Sequence, residues 1–153
     1  MMDIILIAGI VLGLAMIIYG IMLLRRRPRK IKVDMFQQEW RDMQKLCASK
    51  ETWAEAIVQA DKLLDKALKK KRYAGKTMGE RLTKAQRVFT NNESVWFGHK
   101  LRNKIDDNPD TKLKEADVKQ ALIGIRQALK DLGAFPQNVK AAAAEAKSAK
   151  ESK

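Results

Sequence analysis

The hydrophobic pattern divides the chain at Arg25. Before it, from Ile4 to Leu24, the sequence reads IILIAGIVLGLAMIIYGIMLL, apolar on every side of a helix and free of charge. At about 1.5 Å per residue such a run matches a bilayer core of about 30 Å. A helix is also the form that satisfies its own backbone hydrogen bonds in lipid. Residues 1–24 are therefore expected to form a transmembrane anchor. A cleaved signal peptide would carry its positive charge ahead of a shorter apolar core, with small residues at a cleavage site behind it. Here the charge follows the run, and no A-x-A site precedes Arg25. Gly9 and Gly13 form GxxxG, a spacing that lets membrane helices approach closely. They are the candidate helix-pairing residues of a homodimer.

After residue 34 the apolar positions recur with a helical period. Phe36, Trp40, Met43 and Cys47 mark one face of a helix over 35–48, with Asp34 as its N-cap. Ser49 caps a second helix, whose stripe is Trp53, Ile57, Ala60, Leu64 and Leu68, running to about Arg72. Thr77 and Glu80 form a capping box ahead of a third helix carrying Leu82, Ala85, Val88 and Phe89. Asn91 and Asn92 precede a fourth over 93–106, with Val95, Trp96, Leu101 and Ile105 buried, and Pro109 lies beyond its end. A fifth, over 114–132, presents Val118, Leu122, Ile125, Leu129 and Leu132, with Gly133 as the residue after its C-cap. No stretch alternates as a strand does, and the turns are short. The expected fold is all-α, an N-terminal transmembrane helix followed by a four- to five-helix antiparallel bundle over 34–136. Trp40, Trp53 and Trp96 are expected to fill its core. Residues 25–33 form a basic juxtamembrane linker. Residues 137–153, rich in Ala and Lys with no larger apolar face, form a flexible tail.

Charge sharpens this picture. The 153 residues carry 31 Lys and Arg against 18 Asp and Glu, a net +13, and every basic residue lies at or after Arg25. Arg25, Arg26, Arg27, Arg29, Lys30 and Lys32 crowd the flank of the apolar run, while the other flank holds only Asp3. The positive-inside tendency places the N-terminus outside and the C-terminal domain in the cytoplasm, single-pass in the cell membrane. The same six residues are expected to contact anionic lipid headgroups, each contributing about 1 kcal/mol near an anionic leaflet. The remaining excess points to an anionic partner, lipid or nucleic acid.

Candidate chemistry is sparse. The single cysteine, Cys47, excludes an internal disulfide, and with His99 it gives too few soft ligands for a zinc site. No metal or other cofactor is expected. Gly75-Lys76-Thr77 is no phosphate loop, because position 70 is Lys where GxxxxGK[ST] requires Gly. Asp61 and Asp65, an i,i+4 carboxylate pair among lysines, read as a solvated charged face. His99, alone, reads as a partly exposed or internally satisfied side chain. Lys69, Lys70, Lys71 and Arg72 form a basic cluster at a helix end. It complements the helix dipole and aids solubility, or it contacts phosphates or the membrane.

The stretch His99-Lys-Leu-Arg-Asn-Lys-Ile-Asp-Asp-Asn-Pro-Asp110, with the long paired helices of 49–133, resembles the HEPN superfamily of small helical bundles. Members carry R-N-x-[IV]-[AV]-H-x-P near a helix end. Arg102, Asn103, Ile105 and Pro109 fall where that pattern expects them, but Asp107 stands in place of the histidine. Similar stretches occur in membrane-anchored bacterial proteins. In active members the arginine and histidine serve metal-independent RNA cleavage, commonly across a dimer. With Asp107 in that position, the resemblance implies a copy that has lost catalysis. Arg102 then serves either RNA binding, with Asn103 and the cluster at 69–72, or an ion pair with Asp106 or Asp107. The expected function is a non-catalytic, membrane-tethered binding or scaffolding module with a protein partner that the sequence does not identify. The alternative is an RNA-binding or RNA-cleaving HEPN-like domain.

Overall fold

The structure is a computed structural model that describes residues 2–25 and 30–136, with the side chains of the first helix described from Gly9 to Leu23. The linker residues Arg26, Arg27 and Arg29, the side chain of Arg25 and the tail 137–153 lie outside the described residues. Among the described residues there are six α-helices and no strand: α1 (Met2–Arg25), α2 (Val33–Lys45), α3 (Trp53–Lys70), α4 (Met78–Ala85), α5 (Asn92–Asp107) and α6 (Glu115–Asp131). The fold is all-α.

Helix α3 is the centre of the bundle formed by α2 to α6, and it packs against each of the other four. Its sequence explains why. Ala56, Ile57, Ala60, Leu63, Leu64, Ala67 and Leu68 make an apolar surface wider than one stripe, all of it buried. The main core joins all of these except Ile57 to Phe36 and Trp40 from α2, Leu82 from α4, Val95 from α5 and Ile125 and Leu129 from α6. Fully burying a side chain such as Leu64 or Ile125 contributes about 2 kcal/mol relative to exposure. A smaller cluster of Trp53, Ile57, Ile105 and Val118 closes the opposite end of α3. Trp40 and Trp53 are buried as expected, whereas Trp96 is half-buried.

The α5–α6 pair packs on two glycines. A Cβ on Gly124 would stand 2.5 Å from the Ser94 carbonyl oxygen, and one on Gly98 would stand 3.1 Å from Ile125. The two backbones nearly touch, which only glycine allows at position 124.

The helix ends follow local hydrogen bonding. Helix α2 starts after Lys32, not Asp34, and Asp34 lies in the first turn, where a carboxylate favours the helix dipole. Ser49 accepts from the Glu51 N–H and caps only a 3₁₀ turn, Lys50–Thr52, so α3 begins at Trp53. The Thr77 hydroxyl accepts from Glu80 N–H, while the Glu80 carboxylate accepts from Lys76 N–H, one residue earlier than a strict capping box. Asn91 caps α5 by accepting from Ser94 N–H. Helix α4 stops at Ala85, which throws Val88 out of register and leaves it 43% exposed. Gly133, at φ +74°, ends α6 in a Schellman motif, with Ala134 N–H donating to Leu129 and Gly133 N–H to Lys130. Helix α3 ends the same way, with Tyr73 N–H donating to Leu68 and Arg72 N–H to Lys69, but the left-handed residue there is Arg72, at φ +62°.

Among the described residues, helix α1 contributes none to either core. Its large side chains from Ile10 to Leu23 are 48–72% exposed. Among the described residues, no helix is long and apolar enough to cross a membrane.

Gly124→Ala tests the α5–α6 contact. It is expected to destabilise the bundle by about 1–3 kcal/mol, because the backbones must separate to admit the methyl group. Urea unfolding followed by circular dichroism checks this, and a loss below about 0.5 kcal/mol would contradict the described approach.

Candidate functional site

The inward face of α3 includes a carboxylate. Asp61 stands four residues after Ile57 and three before Leu64, so the helix carries it into the interior, where it is 3% exposed. Helix α5 meets it with His99, 8% exposed, and with Arg102. The imidazole Nδ1 lies 3.2 Å from Asp61 Oδ1, and Nε2 lies 3.5 Å from Asn103 Nδ2. The Asn103 Oδ1 accepts from Arg102 at 3.1 Å, and Arg102 Nε lies 3.8 Å from Asp61 Oδ2. With His99 Nδ1–H donating to Asp61 and Asn103 donating to Nε2, the contacts close a ring of four side chains. That proton placement is assigned from the partners. Trp96 covers the imidazole edge-on at 6.0 Å. One earlier expectation is corrected here. Asp61 is no part of a solvated face, because its helical spacing places it on the apolar side. For His99 the second of the two expected readings holds: it is buried and satisfied from both sides.

Burial pushes the Asp61 carboxyl above its ordinary value, opposed by the His99 hydrogen bond and by the charge of Arg102. Asp65, one turn on, is held by two cations. The buried Arg81 binds it at 2.6–2.7 Å and also donates to the Gly75 carbonyl, and Lys69 pairs with it at 2.6 Å. Arg81 thereby clamps the turn after α3 back onto that helix.

Beside this ring opens a cleft of about 620 Å³, lined by Asp61, Lys62, Asp65, Lys66, Lys69, Lys70, Arg72, Met78 and Arg102. Six cations face two carboxylates. Lys69, Lys70, Arg72 and Arg102, all singled out in the sequence, meet here, though they come from α3, the turn after it and α5. Lys71 and Asn103 do not line it; Asn103 sits behind Arg102 in the ring. Lys62 and Lys66 join them, and helical spacing from Lys69 and Lys70 was the available signal. Arg102 pairs with Asp106 at 2.7 Å, while Asp107 is exposed at the end of α5. Lys30 and Lys32 are exposed ahead of α2. Among the described residues, and apart from the helix's own backbone and the adjoining residues, nothing lies within 4 Å of a Cβ built on Gly9 or Gly13.

The chemistry open to this arrangement is recognition of an anion. Ammonium and guanidinium groups only donate, and a phosphate accepts from several at once. Both His99 nitrogens are engaged inside the bundle, so neither is turned to the cleft as a base. Among the described residues, no group of three or more His, Cys, Asp or Glu could hold a metal ion.

Two substitutions test the ring. Arg102→Ala removes the Asp106 pair and a charge beside Asp61, and is expected to cost about 1–3 kcal/mol. For Asp61 the sign follows from its raised folded pKa. Below the unfolded value of 3.8 both states are protonated and its contribution is fully present; as pH rises through the folded value that contribution is lost. Wild-type stability minus that of Asp61→Asn should therefore fall as pH rises above about 4. Urea unfolding of both proteins across a pH series measures it, and a difference that grew with pH would refute the description. Compared with known proteins, the chain matches no protein-family model, no curated protein and no solved structure.

Proposed function

We propose that the protein is a non-catalytic binding module tethered to the membrane. Helix α1 spans the bilayer once with its N-terminus outside, and α2 to α6 stand on the cytoplasmic side with the cationic cleft as their binding site. The observation that carries this reading is α1. It is a 24-residue helix, about 36 Å long at about 1.5 Å per residue. It is uncharged from Ile4 to Leu24, and its exposed apolar side chains belong to neither core. The stretch with described side chains, 9–23, covers about 22 Å of that length. The full span rests on the sequence of the whole helix. Orientation rests on the six basic residues that follow it, and a non-catalytic role on the engagement of both His99 nitrogens.

A second reading draws on the same cleft. Arg102 and Asn103 stand in the later turns of a helix, as the HEPN-like resemblance expects, and six cations suit an RNA backbone. An RNA binder would lose affinity steeply as salt rises, because each phosphate contact releases counterions. Arg102→Ala would weaken RNA binding beyond any loss of stability. Fluorescence anisotropy with labelled RNA at two salt concentrations separates the readings. Binding that is absent at physiological salt removes the second one.

The anchor has its own test. The full chain is expected to stay with the membrane fraction through alkaline carbonate extraction. Leu12→Arg with Ile17→Arg should move it to the supernatant, because each arginine near the middle of the span opposes insertion by about 2.5–3.5 kcal/mol. A wild-type chain extracted by carbonate would end the membrane reading.

A further inference from the structure

Contacts between α2 and α3 show which end of the bundle carries the cleft. Trp53 donates to the Cys47 carbonyl at 3.1 Å, and Lys66 pairs with Glu39 while its ammonium stands 6.0 Å from the Phe36 ring centre. The helices are thus antiparallel. One further turn of α3 brings Lys69 to Arg72 level with Val33, the first residue of α2. Ile31 already packs on the main core. The cleft therefore lies at the end where the chain enters the bundle from α1. From Arg25 to Ile31 the chain spans at most about 22 Å.

We infer that this cleft receives the phosphate of an anionic lipid headgroup, presented to it by the bilayer that holds α1. The inference rests on the membrane reading above and extends it to a ligand. Among the described residues, Lys66, Lys69 and Arg102 are paired with carboxylates, whereas Lys62, Lys70 and Arg72 line the cleft with no carboxylate within 4 Å. Those three supply the uncompensated charge that a phosphate would neutralise. A volume of about 620 Å³ is ample for such a group. Exposed Lys30 and Lys32 lie on the segment entering the same end. Arg72 adds a separate argument. At φ +62° it occupies the position of a Schellman motif where glycine is least strained, so the chain keeps a cation at the cleft against its backbone preference.

The test uses the full chain in a neutral detergent, with thermal unfolding as readout. Dihexanoyl phosphatidylglycerol is expected to raise Tm by about 5 °C near saturation, and dihexanoyl phosphatidylcholine to leave it unchanged. Arg72→Gly should raise the lipid-free Tm yet cut the phosphatidylglycerol response by at least half, which separates binding from folding. Lys62→Gln with Lys70→Gln should abolish the response. An equal rise with phosphatidylcholine or with inorganic phosphate alone would overturn the assignment to an anionic headgroup. So would an undiminished rise in the double variant, or a larger rise with a short single-stranded RNA. A chain that resists carbonate extraction but gives no phosphatidylglycerol response sinks this inference and leaves the anchor standing. A chain that carbonate extracts sinks both.

Discussion

A carboxylate carried into the interior by helical geometry constrains the rest of the bundle. Asp61 shares its face of α3 with Ile57 and Leu64, so α3 cannot bury its apolar surface without burying the acid as well. An unpaired charge there would cost several kcal/mol. The partners come from α5, where His99 and Arg102, three residues apart, share a face. Their need to meet Asp61 sets the axial position of α5 against α3. The two glycines then bring α6 onto α5, and the apolar residues of α6 complete the core. The ring is weak grounds for stability as such. It is stronger grounds for a single register, because sliding α5 by a turn would leave the acid unpaired.

The cleft is a by-product of that arrangement. Apolar α3 residues turn inward, so the lysines at 62, 66, 69 and 70 are left along the border of the buried face. Arg81 reaches Asp65 from the far side and draws the start of α4 over the opening, where Met78 forms part of the wall. Two of the six cations are compensated by α3's own Asp65 and by Glu39 of α2, and Arg102 by Asp106. What remains is a surface whose charge comes from Lys62 and Lys70 of α3 and from Arg72 just beyond it.

Much of the fold was legible because its signals are periodic or local. Stripes at three- and four-residue spacing located α2, α3, α5 and α6. Asn91 and Gly133 marked helix ends with side-chain and backbone chemistry that acts within one turn. The buried acid was legible too, since 57, 61, 64 and 68 form one face, but its charge and its lysine neighbours masked the spacing. Arg72 carried no such signal. Its left-handed conformation follows from where the α3 core stops, with Tyr73 reaching back to Leu68. Gly98 and Gly124 showed only that glycine interrupts two helices; which backbone comes close depends on the tertiary pairing. The site was half visible, as a run of cations, and the α5 side of it required the fold.

The near-contact of α5 and α6 orders the steps by which the bundle forms. Those helices are joined by about seven residues, 108–114, whereas bringing His99 to Asp61 closes a separation of 38. The difference in loop-closure entropy is about 1.5 kcal/mol in favour of the α5–α6 hairpin. The hairpin is thus the inexpensive local unit, and the ring of Asp61, His99, Asn103 and Arg102 closes only when α3 docks on it. The cleft comes into being at that late step. A chain lacking one ring partner would keep its helical hairpin and hold the docked surface less firmly.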